Sequence, residues 1–281
     1  MDRAKLTHYL AGIEGLALLR HWLVGDRKQA ERRFVALRAL VSEPQGQEIE
    51  FQAPELGVVD GYAKWAATYD LGPNPLIALE QDVVRGLIDR IPIGRALDAA
   101  CGSGRHTAYL VERGHDVSGV DASEDMLVQA RGRLPHTDLR RGDLASLPIE
   151  SSSIDLALCT LALTHCTELA APLTELARVL RPGGRLIVSD LHPFMLLLGN
   201  TALFIGSDGR PGIVKSHPHS HADYQSAFAI AGLRVVRCIE PVYTEAQLPA
   251  LVGPLPASAR EAIASALLGL PGAIVWELTA A

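Results

Sequence analysis

The sequence predicts an α/β fold, a mostly parallel sheet flanked by helices, behind an N-terminal helical extension. Three observations carry that expectation. From Arg95 onward, strand-like and helix-like stretches alternate, the pattern of βαβ units around a parallel sheet. Arg95-Ala-Leu-Asp-Ala-Ala-Cys-Gly-Ser-Gly-Arg-His106 runs from a short apolar strand through a glycine turn into a helix start. Glycines suit such a turn because they tolerate unusual φ and let a ligand approach the backbone. Residues 2–42 carry helical periodicity instead, with Leu6, Leu10, Ile13, Ala17 and then Phe34, Leu37, Val41 at spacings of three and four.

The elements follow in order. Gly25-Asp26 separates two N-terminal helices, and Pro44 to Pro54 reads as a linker. This sets a division between an extension, residues 1–55, and a main domain, residues 56–281. Tyr62, Trp65 and Tyr69 fall on one helical face. A packed aromatic seam and a ligand-facing role are both open for them. A helix is expected from Leu76 to Ile91. Strands are expected at Ala96–Ala99, Asp116–Val120, Ile154–Cys159, Arg185–Ser189 and Leu233–Ile239, with a last one at Ala273–Leu278 after Pro271-Gly272. Helices fall at Arg105–Arg113, Glu124–Leu134, Leu169–Leu180 and Ala222–Ala231. Pro182-Gly-Gly184 reads as a helix stop before the next strand. In such a sheet, ligands bind at the carboxyl ends of the strands.

Composition narrows the function. The 281 residues carry a net charge of −6, against the basic stripe that nucleic-acid binding wants. The longest apolar runs, such as Phe194 to Leu198, fall far short of the roughly 20 residues of a membrane span. Glu14 and Arg20 interrupt the N-terminal apolar stretch, so no signal peptide is expected. Cys101, Cys159, Cys166 and Cys238 form no C-x-x-C pair, which fits reduced thiols and a cytoplasmic location. The helical extension has no chemical cluster; covering the active site and forming a homodimer face are both open to it.

Four pieces, in order, carry a family resemblance: Leu97-Asp-Ala-Ala-Cys-Gly-Ser-Gly104, Gly119-Val-Asp121-Ala-Ser, Arg141-Gly-Asp143-Leu144 and Leu180-Arg-Pro-Gly-Gly184. From about Tyr62 to its end the chain resembles class I S-adenosylmethionine (SAM)-dependent methyltransferases. The nearest group is that of ubiquinone/menaquinone-biosynthesis and small-molecule methyltransferases, many of them in secondary metabolism. The resemblance implies a Rossmann-like sheet of seven mostly parallel strands, SAM as cofactor and a small-molecule acceptor. It implies cofactor contacts at Tyr69, Asp98, Ala100, Gly102, Gly104, Asp121, Ala122, Met126, Asp143, Leu144 and Leu161. Asp121 would bind the ribose and Asp143 the adenine, while the glycine turn would cradle the methionine part. Ala100 stands where many members have a first glycine.

The chemistry of these positions agrees. A carboxylate at Asp121 can accept two hydrogen bonds from a ribose diol, and Asp143 one from an adenine amino group. A dinucleotide would need a third glycine, but Arg105, His106 and Thr107 follow Gly104. Methyl transfer needs an acceptor held in line with the methyl group and a base where the acceptor carries a proton. The base candidates are His192, after the fifth strand, and His165, after the fourth; Pro193 holds the backbone of His192 extended. His217-Pro-His-Ser-His221 reads as a solvent loop or substrate lid. No carboxylate lies at companion spacing there, so no metal is expected. A cyclase or pericyclase on the same fold and a non-catalytic partner subunit are the other readings. The intact Asp98, Asp121 and Asp143 speak against the latter. The absence of N-P-P-Y speaks against a nucleic-acid methyltransferase.

Overall fold

The computed structural model describes residues 4–23, 25–42, 50–253, 255 and 257–281. Most of the expected Pro44–Pro54 linker lies outside the described residues. In chain order the elements are β1 (Ala4–Lys5), α1 (Leu6–Trp22), α2 (Arg27–Ser42), β2 (Glu50–Phe51), β3 (Glu55–Leu56), α3 (Val58–Trp65) and α4 (Pro75–Ile88). Then come β4 (Arg95–Ala99), α5 (Arg105–Glu112), β5 (Asp116–Asp121), α6 (Glu124–Arg133), β6 (Asp138–Arg141) and β7 (Ile154–Thr160). A 3₁₀ turn (Leu163–His165) precedes α7 (Ala170–Val179), β8 (Leu180–Leu191), α8 (Pro193–Leu197), β9 (Ala202–Ile205) and β10 (Pro211–Val214). The chain closes with α9 (His221–Ile230), β11 (Leu233–Ile239), α10 (Leu248–Val252), α11 (Ala257–Leu267) and β12 (Ala273–Ala280).

The chain divides into two compact units. One takes Pro54–Gly72, Leu79–Pro241 and Pro271–Ala281; the other takes Met1–Ala53, Pro73–Ala78 and Val242–Leu270. The larger unit is built on a seven-stranded sheet in the order β11-β12-β8-β7-β4-β5-β6. β4 lies between β5 and β7 and is parallel to both; only β12 runs against its neighbours, β8 and β11. Because helices cover both faces, the central strands are near-continuous apolar runs rather than alternating ones. Leu97, Ala99, Ala157, Cys159, Leu186 and Val188 belong to one core layer, and Ala96, Leu156, Leu158 and Ile187 to the other.

The expected strands and helices of this sheet lie within a few residues of their predicted limits, with one difference of substance. Pro182-Gly-Gly184 does not separate a helix from a later strand. α7 stops at Val179 and β8 starts at once, pairing Leu180 with Ile154 before Arg185 pairs with Leu156. The extra residues bulge out there, and Gly183 turns the chain at a φ of 77°. β6 has no expected counterpart, since Asp138-Leu-Arg-Arg141 is an edge strand whose charged residues give no apolar signal. A separate three-stranded sheet, β3-β10-β9, was also not legible.

The smaller unit holds both predicted N-terminal helices, with α11 packed on α1. Buried Arg33 joins Glu14 at 3.3 Å and Glu261 at 3.0 Å. The Arg20 guanidinium donates to the carbonyls of Ser265, Ala266 and Leu268 at 3.1, 2.9 and 2.9 Å, satisfying the free acceptors at the end of α11. Residues 242–270, which the sequence reading places with the main domain, thus join the N-terminal helices. Among the described residues no helix is long and apolar enough to cross a membrane.

Candidate functional site

The site starts at the glycine turn after β4. Ala100, Gly102 and Gly104 have φ of 60°, 54° and 82°, all left-handed. The turn is pinned from below, with Cys101 N–H donating to the Val120 carbonyl at 2.9 Å and Gly104 N–H to the Cys101 carbonyl at 2.9 Å. Burial pushes the Cys101 thiol far up, which removes it as a nucleophile. Ala100 occupies a conformation that costs a non-glycine residue about 1–2 kcal/mol. Ala100→Gly is therefore expected to raise the melting temperature by a degree or more, roughly 2–4 °C per kcal/mol gained. Ala99→Gly, in the buried strand beside it, is expected to lower it. A scan in which both variants melt below wild type would contradict the strain assigned to Ala100.

Asp121, the last residue of β5, faces the turn. Its Oδ2 accepts the Gly102 N–H and its Oδ1 the Ser123 N–H, each at 2.8 Å. Burial raises its pKa, opposed by these same bonds. Each oxygen keeps a further acceptor position, the arrangement that suits a 1,2-diol. Ser123 also caps α6, accepting the Met126 N–H at 3.4 Å, so the cap fixes the strand end and the helix together.

A cavity of about 490 Å³ opens beside the turn. Of the expected cofactor residues, Ala100, Gly102, Asp121, Ala122 and Met126 line one part of it, and Asp143, Leu144, Leu161 and Tyr69 also line it. Asp98 and Gly104 do not. Asp98 is fully buried beneath the turn, where its Oδ2 takes the Thr107 hydroxyl at 2.6 Å and its Oδ1 has no partner. Gly104 is the N-cap of α5, and a Cβ there would stand only 3.3 Å from Ala130 Cβ, so its part is close packing rather than contact. Leu161 is left-handed as well, at a φ of 54°, and brings strain to the end of β7 where it meets the cavity.

The remaining lining comes largely from α3 and from the segment between β7 and α7. Val58, Val59 and Tyr62 of α3 line it, as do Cys166, Thr167, Glu168 and Pro172. The Tyr62 and Trp65 rings stack at 5.6 Å, Trp65 meets Tyr69 at 4.9 Å, and Phe204 of β9 stacks on Trp65 at 5.2 Å. The aromatic face is thus both things the sequence left open: Trp65 is packed, while Tyr62 and Tyr69 line the cavity.

His165 lines the cavity too. Its Nδ1 lies 2.7 Å from the Lys215 carbonyl, which can only accept, so Nδ1 carries the proton. Nε2 then holds a lone pair and accepts the Tyr62 hydroxyl at 2.9 Å. Burial lowers the His165 pKa, keeping the ring neutral and able to take a proton.

His192 does not line the cavity, which corrects its expected role as first-choice base. It is the N-cap of α8, with Nδ1 accepting the Phe194 N–H at 3.2 Å. Its Nε2 therefore carries the proton and donates to Glu240 at 3.0 Å, so neither nitrogen has a free lone pair. His221 Nε2 meets the same Glu240 oxygen at 2.6 Å. Asp223, the nearest carboxylate in the sequence, is taken up by the α9 cap with Ser220; the fold supplies Glu240 from the end of β11. His192, His221 and Glu240 are the group whose atoms lie close enough for a metal among the described residues. A metal ligand at the His192 Nε2 would need the proton on Nδ1, the reverse of the tautomer that its bond from the Phe194 N–H implies. His217 N–H donates to the Thr164 carbonyl at 2.7 Å, and His219 Nε2 is 2.8 Å from the Cys166 carbonyl. These two histidines thus secure the segment that carries His165.

A buried polar network under the site was also not legible. Glu80 of α4 is wholly buried and takes Arg105 at 3.1 Å, His106 at 3.1 Å and Ser189 at 2.7 Å. Burial works against its charge, but these partners together hold its pKa below the usual carboxylate range. It ties the start of α5 to β8 across the sheet.

Residues 97–188 match the sequence model of the family described as a methyltransferase domain. The chain is 33% identical over 137 residues to malonyl-[acyl-carrier protein] O-methyltransferase of Serratia marcescens, covering 48% of this chain and 52% of that one. It is 34% identical over 144 residues to demethylmenaquinone methyltransferase of Beutenbergia cavernae, covering 48% and 60%. The chain spans about half the length of these curated relatives. A chain in the complex of the Haloferax volcanii Trm112 methyltransferase activator with a methyltransferase has the same fold, with a TM-score of 0.60 at 22% identity over 79% of this chain and 97% of that one. Residues 97–188 thus match a methyltransferase domain, and the sheet order and glycine turn are similar to those of class I SAM-dependent methyltransferases.

Proposed function

We propose that the protein transfers the methyl group of SAM to an oxygen, nitrogen or carbon atom of a small molecule. The observation that supports this most is Asp121, whose two oxygens each keep an acceptor position beside the glycine turn. The cavity wall also carries Asp143 and Glu168 and, among the described residues, no lysine or arginine. Such a wall suits a cationic sulfonium and would leave a polyphosphate unpaired. Asp121 would hold the ribose diol, Asp143 and Leu144 the adenine side, and Gly102 and Tyr69 the methionine end. SAM brings an already activated methyl group, so the chain has to position the acceptor, exclude water and take up a proton. His165 is the group placed for the last task. No feature of the site favours the cyclase alternative.

Isothermal calorimetry with S-adenosylhomocysteine, the demethylated product, tests the cofactor assignment; saturable binding at one site per chain is expected. Lack of binding by folded protein would contradict it. Since α3 and the turn to Asp70 form one wall, backbone hydrogen exchange across residues 60–75 is expected to slow when SAM is added. Equal exchange with and without SAM would leave the aromatic cluster as packing only.

A further inference from the structure

Tyr62 has no part in the function above beyond lining the wall, yet its hydroxyl is bonded to the candidate base. The bond has a direction. Lys215 fixes the His165 proton on Nδ1, so Tyr62 must donate to Nε2, and the phenol oxygen keeps its own lone pairs for a proton from another molecule. The ring is held in place for this, stacked on Trp65 at 5.6 Å and edge-on to His165 at 5.5 Å. Burial first, and then Tyr69, Asp121 and Asp190, push the Tyr62 pKa well up. The phenol thus rests protonated and can only hand its proton on as it receives another.

The charges of the wall select the acceptor. Asp121, Asp143 and Glu168 line the cavity, and no described lining residue is a lysine or arginine. A carboxylate or phosphate acceptor would face these acids with no lysine or arginine of the wall to pair it, a cost that works as discrimination. It would also have no proton for the Tyr62–His165 pair to remove. A neutral hydroxyl meets neither objection.

We propose that Tyr62 is a catalytic residue that relays a proton to His165, and that the methyl acceptor is a neutral hydroxyl compound of the phenol or enol class. This rests on the methyl-transfer reading above. The acceptor O–H proton passes to the Tyr62 oxygen while the Tyr62 proton passes to His165 Nε2. The freed electron pair of the acceptor oxygen forms the new O–CH₃ bond. The electrons of the broken S–CH₃ bond remain on sulfur as a neutral thioether. His165, now an imidazolium, releases its proton to water.

The test uses the full chain saturated with S-adenosylhomocysteine and matched probes: phenol with benzoate, and 1-naphthol with 1-naphthoate. Calorimetry is expected to show each phenol binding at least about tenfold tighter than its carboxylate. Nitrogen NMR is expected to show His165 Nε2 unprotonated, with a signal that moves on phenol binding in the wild type and not in Tyr62→Phe. Carboxylates binding as tightly as phenols, neither class binding, or a proton found on Nε2 would each overturn the proposal. Failure of the methyl-transfer reading shows separately, as absence of S-adenosylhomocysteine binding by the wild type, and the proposal would fall with it.

Discussion

Asp121→Ala is expected to weaken SAM and S-adenosylhomocysteine binding at least tenfold, the largest effect on the cofactor of any single change. Hydrogen bonds to a charged acceptor are worth about 1.5–3 kcal/mol each, and a diol makes two. The same carboxylate accepts the Gly102 and Ser123 N–H groups, so its loss also frees the turn from the end of β5. A melting curve separates the two contributions, because loosening of the turn lowers stability without ligand. Asp121→Asn keeps the shape and one full acceptor, and is expected to fall between wild type and alanine. Calorimetry giving unchanged affinity in Asp121→Ala would remove the ribose from this position.

The second large effect is on turnover. His165→Ala is expected to lower methyl transfer by about 10²–10⁴, the usual range for loss of a general base. Binding of S-adenosylhomocysteine should stay close to wild type, because His165 stands with Tyr62 and Lys215 and makes no bond to the glycine turn or to Asp121. The pH dependence has a definite sign. Burial lowers the His165 pKa, so the neutral, proton-accepting ring persists to lower pH than an ordinary histidine near 6.5. Turnover should rise with pH through a midpoint below that value and then level off. Wild-type turnover in His165→Ala, or a rise centred well above pH 6.5, would take the base role away from it. His192→Ala is expected to act on stability instead, through loss of the α8 cap and of the Glu240 bond.

What the sequence made legible is what depends on neighbours in the chain. The strand ends at Ala99 and Asp121 follow from an apolar run stopped by an acid or a turn. The α6 start follows from Ser123 with Glu124 and Asp125 behind it. Nine of the eleven expected cofactor positions line the cavity; most stand at or just past a strand end, while Tyr69 follows α3 and Met126 lies in α6. Asp98 misled because its motif position is right while its side chain turns down to Thr107, under the turn.

The rest was hidden because it joins distant residues. Tyr62 and His165 are 103 positions apart, and nothing local in either segment marks the pair. His192 looked exposed to a substrate because it follows β8; Glu240, 48 positions on, and the cap on Phe194 decide its state instead. β6 and the β3-β10-β9 sheet escaped because short or charged edge strands have too few side chains to show a period of two. The union of residues 242–270 with the N-terminal helices rests on Arg20 and Arg33 reaching partners more than 200 positions away.

The measurement that bears most directly on methyl transfer is mass spectrometry of a small-molecule extract incubated with the full chain and methyl-labelled SAM. A labelled product is expected that grows in step with S-adenosylhomocysteine and is reduced by His165→Ala, and by Asp121→Ala at low SAM. Saturable S-adenosylhomocysteine binding without transfer of label to any molecule of the extract would contradict it.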